Sequence, residues 1–169
     1  MDTVKQFDKQ TFDALLSKAA QSERRRANLN VHASYEDVVQ RLFIAMMPDS
    51  YVRPHRHTQT HKWEFFMAVE GKLTLILFDD NGTVTKRVML DATGDCRGLE
   101  IPPNVWHATV CEAPVVFMEV KQGPYEVTDD KGFAPWAPPE GSEDVPLFLQ
   151  HLKAVKEGQS AAVINDATE

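Results

Sequence analysis

The chain has 169 residues, 43% hydrophobic and 25% charged, a balance that fits one globular domain with a real core. Its 25 acidic residues outnumber 18 basic ones, and the net charge of −7 weighs against a general nucleic-acid or anionic-membrane binder. No apolar run is long enough to span a bilayer, and the polar opening "MDTVKQFDKQ" lacks a signal-peptide layout, so the cytoplasm is the expected compartment. Cys96 and Cys111 suit a reducing compartment and form no CxxC motif.

Phe12, Leu15, Leu16 and Ala19 recur at helical spacing, so residues 11–26 are expected to be a helix capped by Thr11 or Asp8. The period then changes. Strands are expected over 37–48, 64–71, 72–80 and 85–93, with "DNG" at 80–82 as a hairpin turn. "GLEIPP", "WHATVCE" and "PVVFMEVKQG" add further strands, and "PLFLQHLKAV" a closing helix. Short strands with turns every eight to twelve residues mean a sandwich or barrel. The organisation expected is a helix and lead-in over 1–33, a β-barrel with a wrapping loop and closing helix over 34–155, and a mobile tail over 156–169.

From just after the 37–48 strand into the start of the 72–80 strand runs "YVRPHRHTQTHKWEFFMAVEGKL". His55 and His57 are two apart, so on an extended strand both imidazoles point to one face. Glu64 opens the next strand and can meet them if "TQTHKW" folds back. "IPPNVWHATV" supplies a distant fourth group: Asn104 tolerates a tight turn, and His107 follows at a strand start. A lone histidine in a strand-rich chain is usually a satisfied polar residue. An HxH pair joined by a carboxylate and a remote histidine is a specific metal-ligand pattern. Such a set suits one divalent ion (Zn, Fe, Ni, Mn or Cu), with identity left to geometry.

"HRHTQTHKWEFFMAVEG" and "IPPNVWHA" resemble the two signature motifs of the cupin superfamily. Two departures stand out. The gap between His57 and Glu64 is six residues, longer than the usual three or four, which brings in His61 as a reserve ligand; Asn104 stands where the second motif has glycine. "SERRRANLNVHASYEDVVQRLFIAMMPDSYVRPHRH" and "KGFAPWAPPEG" extend the similarity to the WbuC family of cupin-fold metalloproteins, over roughly Phe12 to Leu152. That resemblance implies a single-domain, mainly β cupin double-stranded β-helix (jelly-roll) barrel with short terminal helices and one bound metal ion. It implies no established reaction.

Several neighbours are candidates for binding a small-molecule ligand. Arg24, Arg25 and Arg26 could reach an anionic group, or simply form a solvated helix end. Asn28, Asn30 and His32 share a face if "NLNVH" is extended. Gln40 or Arg41 must face inward or lie at an edge, and an inward Arg41 would need an anionic partner. Arg53 and Tyr51 share the parity of His55, so Arg53 could enter the cavity and Tyr51 is the candidate proton donor. Arg56, Trp63 and Trp106 should face the other way. Trp136, in the proline-rich "GFAPWAPPEG", is either an aromatic platform at the barrel mouth or a packing anchor.

The expected function is a metal-dependent enzyme acting on a small anionic or sugar-like substrate, such as a nucleotide sugar or sugar phosphate. A non-catalytic metal-dependent binding module is the alternative, and a non-haem iron dioxygenase a weaker one. Nucleic acid and membrane are not expected partners. Flat β edges and family analogy favour a homodimer.

Overall fold

The computed structural model describes residues 3–125 and 132–162. Helix α1, Lys9–Gln21, starts where the Asp8 carboxylate accepts from Thr11 N at 2.9 Å. It ends short of residue 26 because Ser22 is extended and Arg25 takes a φ of +57°. The chain then enters a strand, so the β fold begins before residue 34 rather than after a separate lead-in.

Among the described residues, ten strands form two antiparallel five-stranded sheets. One sheet holds β1 (Arg26–Asn30), β2 (Val39–Met46), β9 (Val115–Gln122), β4 (Glu64–Glu70) and β7 (Gly98–Ile101), in that order. The other holds β10 (Gly132–Phe133), β3 (His55–Arg56), β8 (Trp106–Val110), β5 (Lys72–Phe78) and β6 (Val84–Asp91). From β2 onward the chain changes sheet at every link except the β5–β6 hairpin, the winding of a jelly roll. This is the mainly β, double-stranded architecture expected from the sequence, with a helix near each end.

Three apolar clusters hold it together. Between the sheets, Phe66, Leu73, Leu75, Leu90, Ile101 and Phe117 close one end of the interior. On the outer face of the first sheet, Phe12, Leu15 and Ala19 of α1 cover Phe43, Ala45 and Val116. Outside the second sheet, helix α2 (Val145–Ala154) sets Phe148, Leu149 and Leu152 against Ile76, Ala108 and Val110. Each such buried Leu or Phe contributes about 1.5–3 kcal/mol. Every residue of β8 is buried, because α2 covers one face and the interior the other.

Turn chemistry sets the connections. Gly82, at φ +84°, closes the β5–β6 hairpin, and the Asp79 carboxylate accepts from Asn81 N and Thr83 N. A Cβ on Gly82 would lie 2.9 Å from the Trp136 ring, so Trp136 is the packing anchor of the two alternatives, stacked on this turn and on Phe78. Residues 156–162 are not a free tail. Val84 N donates to Gln159 O, Gly158 N to Val84 O and Ala161 N to Gly82 O, and Ala161 is fully buried. Residues 163–169 lie outside the described part. Among the described residues, no helix is long and apolar enough to cross a membrane.

Gly71, at φ +79°, carries the chain from β4 in one sheet to β5 in the other, and a Cβ there would approach Pro114 O to 3.0 Å. Gly71→Ala is therefore expected to lower stability by about 1–2 kcal/mol, read as a lower urea midpoint with an unchanged slope. An unchanged midpoint would show that this link carries no such constraint.

Candidate metal centre

Register brings four side chains together. On β3 and β8, His55 lies directly across from His107. His57 continues the extended chain past β3, and its carbonyl accepts from Asn104 N at 2.7 Å. Asn104 itself sits at φ +67°, the left-handed turn that its place before His107 called for. Glu64 opens β4 in the facing sheet and projects inward beside Phe66. One ligand atom from each of His55, His57, Glu64 and His107 lies within 4.8 Å of all the others, and all four residues are buried. His61 is exposed and outside this group.

Hydrogen bonds fix how two of the imidazoles present themselves. His55 Nδ1 lies 2.8 Å from Arg53 O, and His107 Nδ1 lies 2.9 Å from Val105 O. A carbonyl only accepts, so each Nδ1 carries the proton and each Nε2 turns a lone pair to the cluster. His107 Nε2 is 3.4 Å from Glu64 Oε2, and His57 Nε2 contacts Glu64 Oε1. Glu64 Oε1 and His107 Nε2 are nevertheless buried without a hydrogen-bond partner. Buried polar atoms left this way are costly unless something else satisfies them. Three imidazoles and one carboxylate are the donor set a divalent cation of borderline softness takes, so these residues fit one such ion. When bound, it would supply Lewis-acid polarisation of a ligand oxygen.

The electrostatics agree. Burial alone would push the Glu64 carboxyl up, but the adjacent His107 imidazole, with that of His57, outweighs it and holds it well below its usual range. For His107, burial works downward, and the Glu64 carboxylate more than reverses it.

The cluster opens into a cavity of about 390 Å³, within the size range of small-ligand sites. The first sheet supplies its wall in rows set by strand pairing. Glu64 pairs with Lys121, and Lys121 with Gln40; in the next row Phe66 pairs with Glu119, Glu119 with Leu42, and Leu42 with Asn30. Deeper in, Phe117 pairs with Ile44 and Ile44 with Asn28. The metal cluster stands at one side, apolar residues form the floor, and β1 closes the far side.

Of the candidate ligand contacts, Arg24, Arg26, Asn28, Asn30 and His32 do line the cavity. The two arginines are already engaged: Arg24 forms a fork with Glu140, with both contacts at 2.8 Å, and Arg26 Nη1 lies 3.2 Å from the same carboxylate. Hydrogen bonds from Arg24, with the charge of Arg26, hold Glu140 down to about 2. The other candidates are corrections. Arg25 turns outward to Asp49. Arg41 is exposed, because Gln40 takes the inward position and donates to the Ser34, Tyr35 and Asp37 carbonyls. Arg53 donates to Ala134 O and lies over the Phe133 ring. Tyr51 donates to Pro138 O under α2, and burial raises its phenol. Residues 51–54 are not in a strand, so parity with His55 does not extend to Tyr51 or Arg53. Arg56 stacks over the Trp106 ring at 4.2 Å, on the outside as expected.

The sequence reading missed Glu119, Lys121, Tyr35 and Tyr125, all on the cavity wall. A signal was present: in "PVVFMEVKQG", Phe117, Glu119 and Lys121 alternate onto one face of a strand. Cys96 and Cys111 are both free, the first exposed and the second buried.

Residues 7–90 match a family model described as a domain of unknown function, DUF6016. A search of curated proteins gives no match. Solved structures with similar folds include a cupin-2 domain protein from Shewanella frigidimarina, 18% identical over 57% of this chain and 80% of that one, with a TM-score of 0.44. A cupin superfamily protein from Desulfitobacterium hafniense is 13% identical over 60% of this chain and 80% of that one, with a TM-score of 0.47. A conserved double-stranded β-helix protein from Klebsiella pneumoniae is 17% identical over 67% of this chain and 87% of that one, with a TM-score of 0.48. On its own residues, the chain is a jelly-roll protein with a buried three-histidine, one-glutamate cluster that could hold one metal ion.

Two outcomes are expected. Zn²⁺ titrated calorimetrically into chelator-treated protein should bind at one site per chain, and His107→Ala should weaken it by at least 10-fold while His61→Ala leaves it unchanged. Equal losses in both variants would exclude this cluster. The second concerns pH. Glu64, held low, stabilises the metal-free fold above about pH 4.5 and loses that contribution as pH falls through its lowered value. His107, held high, contributes fully below about pH 6.5 and loses it as pH rises through its raised value. Metal-free protein should therefore be most stable at about pH 4.5–6.5. Ligation needs His107 deprotonated, so the rise in Tm on adding Zn²⁺ should be larger at pH 8 than at pH 5.5. A rise independent of pH would contradict protonic competition at the cluster.

Proposed function

We propose that this chain is a metal-dependent enzyme acting on a small anionic or sugar-like molecule, with a nucleotide sugar or sugar phosphate as the leading class. The observation that carries this reading is the placement of the four-ligand cluster in the wall of a ligand-sized cavity, rather than in a closed structural site. Four protein ligands leave positions on an octahedral ion for a ligand's oxygens. The sequence similarity to the WbuC family supports the metal and leaves the reaction open.

His55, His57, Glu64 and His107 would hold the ion. Glu119, nine-tenths buried in the row beside Glu64, is the cavity carboxylate outside the cluster and takes the proton-carrier role in place of Tyr51, which does not line the cavity. Lys121, with its Nζ 3.9 Å from Glu119, keeps that carboxylate compensated. The displacement of Tyr51 also favours a second reading, a metal-dependent binding module without turnover.

The test is incubation of metal-loaded protein with sugar phosphates and nucleotide sugars, followed by mass spectrometry of the small molecules. Turnover should vanish in Glu64→Gln, which loses the metal. In Glu119→Gln, which keeps it, the rate should fall about 10²–10⁴-fold. Ligand binding without any product, in a protein carrying stoichiometric metal, would favour the binding module.

A further inference from the structure

Among the described residues, one buried polar atom on the cavity wall outside the metal cluster has no hydrogen-bond partner, His32 Nε2. His32 is 7% exposed and lines the far side of the cavity, just beyond β1. Its Nδ1 lies 2.9 Å from Arg41 N and 2.8 Å from Arg41 O. Arg41 O already accepts from Val31 N at 2.7 Å. Nδ1 is thus committed to the Arg41 peptide groups, and Nε2 is the ring nitrogen left over. His32 Nε2 is buried without a hydrogen-bond partner. It is therefore an unused polar atom on a cavity wall, a donor or an acceptor according to the ring's tautomer.

Its neighbours on that wall are uncharged. Asn28 and Asn30 share the inward face of β1, and Asn28 donates to Asn30 at 2.9 Å. The charged groups nearby contact carboxylates of the protein: Lys121 lies beside Glu119, and Arg24 and Arg26 share the single carboxylate of Glu140, which leaves one positive charge in excess. Two strands, β9 and β2, separate Glu64 on β4 from this wall at β1. Three strand spacings put roughly 14 Å between the two backbones, and inward-reaching side chains shorten the gap a ligand must bridge.

We infer that this wall is a second subsite that recognises the neutral, hydroxyl-bearing end of a ligand whose other end chelates the metal, with His32 Nε2 hydrogen-bonded to a ligand hydroxyl. The inference rests on the proposed function and narrows it: the end away from the metal is polyol-like rather than anionic. Hydroxyls both donate and accept, so they can pair with Nε2 in either tautomer and with the two amides, whereas a phosphate or carboxylate would meet no charged partner at His32, Asn28 or Asn30.

Three six-carbon probes with the same 2-hydroxycarboxylate head separate the possibilities: D-gluconate, 2-hydroxyhexanoate and 2-hydroxyadipate. Each is titrated calorimetrically into Zn²⁺-loaded protein. Gluconate should bind at least 10-fold tighter than the other two. His32→Asn keeps a polar group near the Nδ1 position for the Arg41 peptide and removes the Nε2 atom. It should weaken gluconate by about 3- to 10-fold, the effect of one hydrogen bond, with 2-hydroxyhexanoate, metal content and Tm unchanged. The inference is overturned by equal affinities, by tightest binding of 2-hydroxyadipate, by no binding of any probe, or by equal weakening of all three in His32→Asn. Wild-type protein that takes up no metal would overturn the proposed function and this inference together. Metal-loaded protein without the preference would overturn the inference alone.

Discussion

A buried carboxylate without compensation is among the most expensive groups a fold can hold. Glu64 is such a group, and the architecture around it answers that cost. Three imidazoles converge on it from the opposite sheet, two with their Nδ1 protons committed to backbone carbonyls. Those carbonyls belong to the residue two positions before each histidine, so the same local backbone that builds the turn into β3 and β8 also aims the ring. The turn at Asn104 is tied by hydrogen bond to the His57 carbonyl, which couples the two ligand-bearing segments directly. Neutral imidazoles do not by themselves balance the carboxylate. A divalent cation does, and it satisfies the orphaned atoms at the same time.

Everything outside that cluster positions it or opens it. The two helices cover the outer faces of the two sheets, leaving the space between them as the interior. One end of that space is filled by Phe66, Leu75, Leu90 and Ile101, and the other remains open as the cavity. Because strand pairing runs straight across the first sheet, alternation assigns each inward residue a place. Apolar Leu42, Ile44 and Phe117 lie on the floor, with Lys121, Glu119 and the β1 amides toward the rim. The Glu140 carboxylate holds Arg24 and Arg26 at that rim, one carboxylate for two guanidiniums.

Much of this was legible in the sequence wherever a periodic element carried it. The HxH pair, Glu64 on a strand and His107 after a turn with Asn104 all depend on alternation or turn chemistry, and all came together as the spacing suggested. The stripe of Asn28, Asn30 and His32 followed the same rule. Errors fell where alternation does not operate. Tyr51 and Arg53 lie in the irregular segment before β3, so counting back from His55 sent them to the wrong face. Gln40 and Arg41 were ambiguous because either could be inward; three backbone carbonyls at the start of β2 decide for Gln40, and no one-dimensional pattern shows them. Residues 156–162 looked like tail because they are held by backbone hydrogen bonds to the β5–β6 hairpin, which side-chain composition does not announce.

The central claim is that His55, His57, Glu64 and His107 hold one metal ion together. X-ray absorption at the edge of whichever metal purifies with the protein tests it most directly. The account predicts an inner shell with three imidazole nitrogens and one carboxylate oxygen at about 2.0–2.2 Å, with the imidazole scattering pattern lost in His57→Ala. A shell of water oxygens or thiolate sulfur, or a spectrum unchanged in that variant, would contradict it.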